Sequence, residues 1–100
     1  MSPIYEMLQN AIPFGRENAI TRADLAAKLG MSDRVMRRAI EEARLEGLFI
    51  LNAQDGRGYY RTTDLAELKA QYDSDTARAL SILTRRKPIR DALKAAGVKV

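Results

Sequence analysis

The sequence predicts a mainly α-helical protein carrying one small β-hairpin, and three stretches predict it. Between Thr21 and Gly47 a capping residue, an apolar stripe at three-to-four spacing and a closing glycine occur twice in succession. From Leu48 to Thr62 two runs rich in strand formers flank a glycine-containing turn segment. From Asp64 to Lys87 neither glycine nor proline interrupts an apolar pattern at helical spacing. With 100 residues and 46% hydrophobic content, the chain can build one modest core. The expected division is a domain over residues 1–62 and a helical extension over residues 63–100, the extension being part of the same domain or a dimerisation arm.

Ser2 and Pro3 can cap and start a first helix, the proline standing where its missing amide is harmless. Ile4, Met7, Leu8, Ala11 and Ile12 supply its buried face, and Pro13, Phe14 and Gly15 end it. Ile20 is expected to pack as the apolar residue just ahead of the next cap. That cap is Thr21, so a second helix begins at Arg22, with Asp24 placed against the positive end of its dipole. Leu25, Ala26 and Leu29 form its stripe and Gly30 stops it.

Ser32 caps the third helix, expected over residues 33–46. Met36, Ile40 and Ala43 point inward there, with Ala39 and Leu48 beside them, and Gly47 ends it. Two helices joined by about three residues form a helix-turn-helix. The apolar run Leu48 to Leu51, turn residues from Asn52 to Gly58 and strand formers from Tyr59 to Thr62 then read as a hairpin. Tyr59 and Tyr60 point to opposite faces of their strand, so one packs on the core and the other is exposed, and the sequence leaves open which.

Thr63 can cap a fourth helix starting at Asp64 and reaching Lys87. Leu65, Leu68, Tyr72, Asp75, Ala79 and Ile82 alternate at three and four, with Leu83 four after Ala79 and a polar gap at Asp73 to Asp75. Either one helix spans residues 64–87 or a break near Ser74 divides it. Pro88 is expected to start a short last helix over residues 89–96, closed by Gly97. A stripe this long exceeds what so small a domain can cover. Pairing with a second copy is the expected remedy, through Leu65, Leu68, Tyr72, Ala79, Ile82 and Leu83.

The run LAAKLGMSDRVMRRAIEEARLEGLFI, followed by GRGYY, resembles the winged helix-turn-helix of bacterial regulators of the biotin-operon-repressor and gluconate-repressor class, over residues 18–62. The preceding GRENAI and the long helix after the hairpin resemble small winged-helix proteins encoded by phages and prophages. The resemblance implies a three-helix core plus a wing, and DNA binding by a minimal transcriptional regulator or replication-linked factor with no ligand domain attached.

Charge distribution points the same way. From Ala77 to Val100 there are seven basic residues against one acid, while the rest of the chain holds ten basic and twelve acidic residues. A basic tail on a slightly acidic body suits a polyanion, with anionic lipid as the competing partner. Bulky aromatic anchors are missing from the tail and no run approaches the length of a bilayer span, so no membrane attachment is expected. The N-terminus lacks the pattern of a secretory signal, and the expected location is cytoplasmic.

On the third helix the inward set leaves Arg34, Arg37, Arg38 and Glu41 on the outer half, with Ser32 and Val35 near the leading edge. Such positions face base edges and phosphates when a helix N-terminal half enters the major groove. Arg34 and Arg38 are expected to reach bases, guanine above all, and Arg37 to hold phosphate. The competing reading is a solvated face with Arg37–Glu41 and Arg38–Glu42 pairs. At the wing, residues 53–58, Arg57 stands between Gly56 and Gly58, suited either to a minor groove or phosphate or merely to keeping a loop soluble. The exposed one of the two tyrosines, taken as Tyr60, is the further candidate contact, reaching either the DNA backbone or the following helix. Arg85, Arg86, Lys87 and Arg90 are candidate phosphate contacts that read no sequence, or else a solvated fringe.

Histidine and cysteine are both absent, which removes disulfides, thiolate chemistry, the usual zinc ligands and the commonest general base. The sequence shows no nucleotide-binding glycine loop and no nucleophile paired with a base. No catalytic residue, metal, cofactor or small-molecule ligand is expected. The two function classes left are a sequence-specific double-stranded DNA-binding protein and a protein-interaction module built on the same scaffold.

Overall fold

The computed structural model describes residues 2–53 and 55–100. The chain is mainly helical, with a two-stranded antiparallel hairpin and a long C-terminal helix. Contacts divide it into one compact unit reaching to Leu68 and a second from Lys69 to Val100.

In the first unit, helix α1 (Pro3–Ala11) starts as its sequence requires, Ser2 Oγ accepting from the Tyr5 amide with Pro3 in the first turn. It buries Tyr5, Leu8 and Ala11 fully and Ile4 and Met7 in part. Helix α2 (Arg22–Leu29) is capped by Thr21 Oγ1, which accepts from the Asp24 amide at 3.1 Å. Helix α3 (Asp33–Leu45) is capped by Ser32 Oγ, which accepts from the Val35 amide at 3.2 Å. Both end on the same bonding pattern: the Gly30 and Met31 amides donate to the Ala27 and Ala26 carbonyls, and the Gly47 and Leu48 amides to those of Arg44 and Ala43. Leu8, Ile12, Leu25, Met36, Ile40 and Ile50 form the dry centre of the unit.

Strand β1 (Ile50–Ala53) pairs with β2 (Gly58–Arg61) in the register Ile50 with Arg61 and Leu51 with Tyr60. The first strand therefore starts later and takes in Asn52 and Ala53, which sequence assigned to the turn. The far edge of β2 is also used. Ile20 and Tyr59 exchange two backbone hydrogen bonds at 2.9 and 2.8 Å, and the Gly15 amide donates to the Arg61 carbonyl at 2.9 Å. A 3₁₀ turn, Arg16–Asn18, links those two bridges. Ile20 thus serves as a backbone clamp besides packing ahead of the Thr21 cap.

Both tyrosines of β2 are buried, which corrects the expectation that one would be exposed. Tyr59 joins the main core, while Tyr60 packs with Leu51 and Ala53 against Ala19 and Leu68 on the other face of the hairpin. The reason is that the chain covers that second face twice, before α2 and at the start of the last helix.

Helix α4 runs from Leu65 to Ala95 without a break. Asp64, not Thr63, caps it, its Oδ1 accepting from the Ala66 and Glu67 amides at 2.8 and 3.0 Å. The polar gap around Ser74 is helical, bridged by Lys69 on Asp73 and Gln71 on Asp75 at four-residue spacing. Nor does Pro88 start a separate short helix, which corrects the expected helix over residues 89–96. A proline inside a helix removes one amide and crowds one carbonyl. Here that carbonyl belongs to Thr84, on an exposed stretch where water can satisfy it, and strong helix formers on both sides carry the helix through. Gly97 closes it, its amide and that of Val98 donating to the Lys94 and Leu93 carbonyls. No helix of the described residues is long and apolar enough to cross a membrane.

Candidate nucleic-acid interface

Helix α3 places its side chains by period alone: Met36, Ala39, Ile40 and Ala43 go inward, so Arg34, Val35, Arg37 and Arg38 are left on the exposed side of its first two turns. Arg34, Arg37, Arg38, Glu41 and Arg44 line one open groove with Ile40 and Tyr59. The floor is apolar and the walls carry four guanidinium groups against one carboxylate.

The four arginines are not equivalent. Arg37 is held by Asp33 at 3.0 Å, and the same carboxylate binds Arg22 at 2.9 Å, joining α2 to α3. Arg44 is held twice, donating from Nε to the Ile50 carbonyl at 3.0 Å and pairing with Glu41 at 2.6 Å. Arg34 and Arg38 have no ion-pair partner among the described residues. Neither helix pair of the solvated-face reading is formed: Glu41 is taken by Arg44, and Arg37 turns back to Asp33. Two cations one turn apart therefore remain uncompensated beside an exposed Val35. Ser32, expected at the leading edge of this surface, is exposed but spends its hydroxyl on the cap.

The hairpin tip is organised by Asp55. Its Oδ1 accepts from the Arg57 amide at 3.2 Å, and its Oδ2 pairs with Arg57 Nε at 3.2 Å and with Arg16 at 3.5 Å. The Arg57 amide, followed by the charges of Arg57 and Arg16, holds the Asp55 carboxyl below its ordinary value. Arg57 is thus exposed but tethered, and an exposed pair of this kind costs little to release. Gln54, the first residue of the expected tip, lies outside the described residues.

Tyr60 leaves the candidate set. Its ring is buried and its hydroxyl donates to the Glu67 carboxylate, which also accepts from Thr62. Burial, and then the bond to Glu67, push its phenol up to about 12. It anchors the start of α4 and has no surface for a ligand.

In the second unit Arg85, Arg86, Lys87 and Arg90 are exposed and none is ion-paired among the described residues. Arg86 and Arg90 line a groove with Ile89, Leu93 and Val100. Of the expected seam residues, Leu65, Tyr72, Ala79, Ile82 and Leu83 are exposed. Leu68 is not available, because it is half-buried against the second face of the hairpin.

Sequence reasoning missed Arg44, whose hold on Ile50 ties the end of α3 to β1, and Arg22, whose partner is eleven residues away on the next helix. An arginine–carboxylate pair between helices leaves no periodic trace. Every buried side-chain nitrogen and oxygen of the described residues has a hydrogen-bond partner, and no three of their carboxylates gather where they could hold a metal ion. No family model matches the chain, and it matches neither a curated protein nor a solved structure.

Proposed function

We propose that the chain is a winged helix-turn-helix protein that binds double-stranded DNA at preferred sequences, as a small transcriptional regulator or replication-linked factor of the phage or prophage type. On this reading α2 and α3 are the helix-turn-helix, α3 enters the major groove, and the loop between β1 and β2 is a wing on the adjacent minor groove or backbone. The observation that carries it is the unpaired state of Arg34 and Arg38, one turn apart on the exposed first half of α3. Desolvating two free guanidinium groups against guanine O6 and N7 breaks no existing pair, and the fork geometry rewards that target. Arg37 and Arg57, already on carboxylates, suit phosphate, for which they need only exchange one anion for another. The unpaired bases of α4 add attraction without sequence preference.

The partner set is DNA and a second copy of the chain. Two copies related by a two-fold axis read an inverted repeat. Selecting duplexes from a random pool with the wild-type protein tests the proposal. Recovery of a shared motif, lost when the Arg34→Ala/Arg38→Ala variant is used, supports it; a pool that stays random for the wild type removes it.

The exposed Tyr72, Ile82, Leu83 and Ile89 favour a second reading, a protein-interaction module in which α4 docks another protein. It takes precedence if Ile82→Glu breaks a partner complex while Arg34→Ala and Arg38→Ala change no nucleic-acid binding.

A further inference from the structure

Counting α4 in sevens from Leu65 places Leu65, Tyr72, Ala79, Arg86 and Leu93 at one position of a two-helix seam and Leu68, Asp75, Ile82 and Ile89 at the other. Leu68 is committed to the first unit. Within the second unit the seam runs on to the half-buried Leu93, and its exposed positions are Tyr72, Asp75, Ala79, Ile82, Arg86 and Ile89. Four of these are apolar or small, and two carry opposite charge. Asp75 accepts only the Gln71 amide at 2.8 Å, and Arg86 has no ion-pair partner among the described residues.

The two charges choose an orientation. In a parallel pair in register, each seam residue meets its own copy, so Asp75 faces Asp75 of the partner subunit and Arg86 faces Arg86 of the partner subunit. Like charges then sit in a partly dehydrated seam, which is strongly unfavourable. In an antiparallel pair with Ala79 opposite Ile82 of the partner subunit, Tyr72 lies opposite Ile89 of the partner subunit and Asp75 opposite Arg86 of the partner subunit. Both charges are matched, twice per dimer. Sliding by one heptad either way sets Asp75 and Arg86 against apolar or small side chains, so one register satisfies both. The solvated rim weighs less than the seam. The antiparallel register sets Arg78 beside Arg85 of the partner subunit and Lys69, already paired with Asp73, beside Arg90 of the partner subunit. The parallel one sets Arg85 beside Arg90 of the partner subunit, and exposed contacts of this kind are screened. Pro88 lies on the face turned away from this seam.

We infer that α4 pairs antiparallel with the α4 of a second copy, with Asp75 of each chain on Arg86 of the other. This rests on the proposal that a second copy is the partner, and it takes Arg86 out of the set expected to contact phosphate. A single polar pair inside an apolar seam fixes register and orientation at some cost in stability.

Sedimentation of the full chain without DNA tests it, with circular dichroism confirming that each variant is folded. Asp75→Arg and Arg86→Asp alone should each raise the dimer dissociation constant by about a hundredfold, through a like-charge clash in the seam. Combined in one chain they should restore wild-type dimerisation, because the charges match again with their places exchanged. A parallel pair would gain nothing from the exchange. As a second measurement, the chain has no cysteine, so an oxidised equimolar mixture of Tyr72→Cys and Ile89→Cys chains should form a disulfide-linked heterodimer. Cross-linking of Tyr72→Cys with itself, or a dimer that the exchange does not restore, overturns the antiparallel seam and leaves the second-copy proposal standing. A wild-type chain that stays monomeric at every concentration overturns both, without touching the DNA reading of α3.

Discussion

Replacing Gly58 with alanine should destabilise the protein far more than the same change at Gly56. Both glycines have positive φ, 98° and 90°, which costs an L-residue about 1–2 kcal/mol. At Gly56 nothing lies within 4 Å of an added Cβ, so that strain is the whole cost. At Gly58 the Cβ would stand 2.0 Å from the Ile20 carbonyl oxygen and 2.7 Å from Thr21 Cα, both backbone atoms that cannot rotate away. Relief requires β2 to part from residue 20. Two hydrogen bonds, Ile20 to Tyr59 and back, are then lost, each worth about 1 kcal/mol net. The total for Gly58→Ala is about 3–4 kcal/mol, which for a domain of this size is a fall in Tm of between about 12 and 30 °C. Thermal unfolding followed by far-ultraviolet circular dichroism measures it, with Gly56→Ala as the control. If the two variants melt within a few degrees of each other, the close approach of β2 to Ile20 is not what this glycine is for, and the placing of the hairpin against the helices needs another cause.

Three further outcomes follow from the same structure. Tyr60→Phe should cost about 1–2 kcal/mol by removing a bond to a carboxylate, read by urea unfolding at neutral pH. Because the folded phenol is raised to about 12, its contribution is complete below the unfolded value of about 10 and is lost as pH rises from there towards 12; wild-type stability should fall more steeply over that interval than that of Tyr60→Phe, and parallel curves would contradict the burial of this ring. Pro88→Ala should raise helix content and stabilise α4, by up to about 3 kcal/mol, measured by circular dichroism; a loss of helix would mean that the proline terminates something. Asp33→Asn should lower stability by less than about 1 kcal/mol, since both of its pairs are exposed, while freeing Arg22 and Arg37; a large drop would show that this carboxylate holds α2 on α3.

Local chemistry was mostly legible in the sequence where a residue acts on its near neighbours, the cap of the last helix being displaced by one residue, from Thr63 to Asp64. Ser2, Thr21 and Ser32 cap the helices they precede, Gly30, Gly47 and Gly97 close the helices they follow, and Met36, Ile40 and Ala43 face inward as their spacing requires. What escaped was set by distant parts of the chain. Tyr60 is buried because Ala19 and Leu68, from opposite sides in sequence, cover the face it points to. Gly58 matters because Ile20 passes beside it, and nothing in Gly56-Arg57-Gly58 reveals which of its glycines is crowded. Pro88 misled for a different reason: a stop signal is a cost in free energy, and a long exposed helix with good formers on both sides can bear it. At the candidate interface, spacing alone put Arg34, Arg37 and Arg38 on one surface. Which of them are free depended on Asp33 and Glu41 choosing Arg22, Arg37 and Arg44, a competition between pairs that sequence offers but does not decide.

Fluorescence anisotropy bears most directly on the central claim. An enriched duplex and a random duplex would be titrated at one fixed salt concentration with wild type and with Arg34→Ala/Arg38→Ala. The wild type should prefer the enriched duplex, and the double variant should lose about 1–3 kcal/mol of that preference for each arginine while binding random duplex nearly as before and melting at the wild-type temperature, since neither side chain is paired in the free protein. Equal affinity of the wild type for both duplexes would contradict a base-reading role for α3 and assign the DNA affinity to the basic residues of α4; a preference the double variant keeps in full would contradict that role as well and put the base reading elsewhere in the chain.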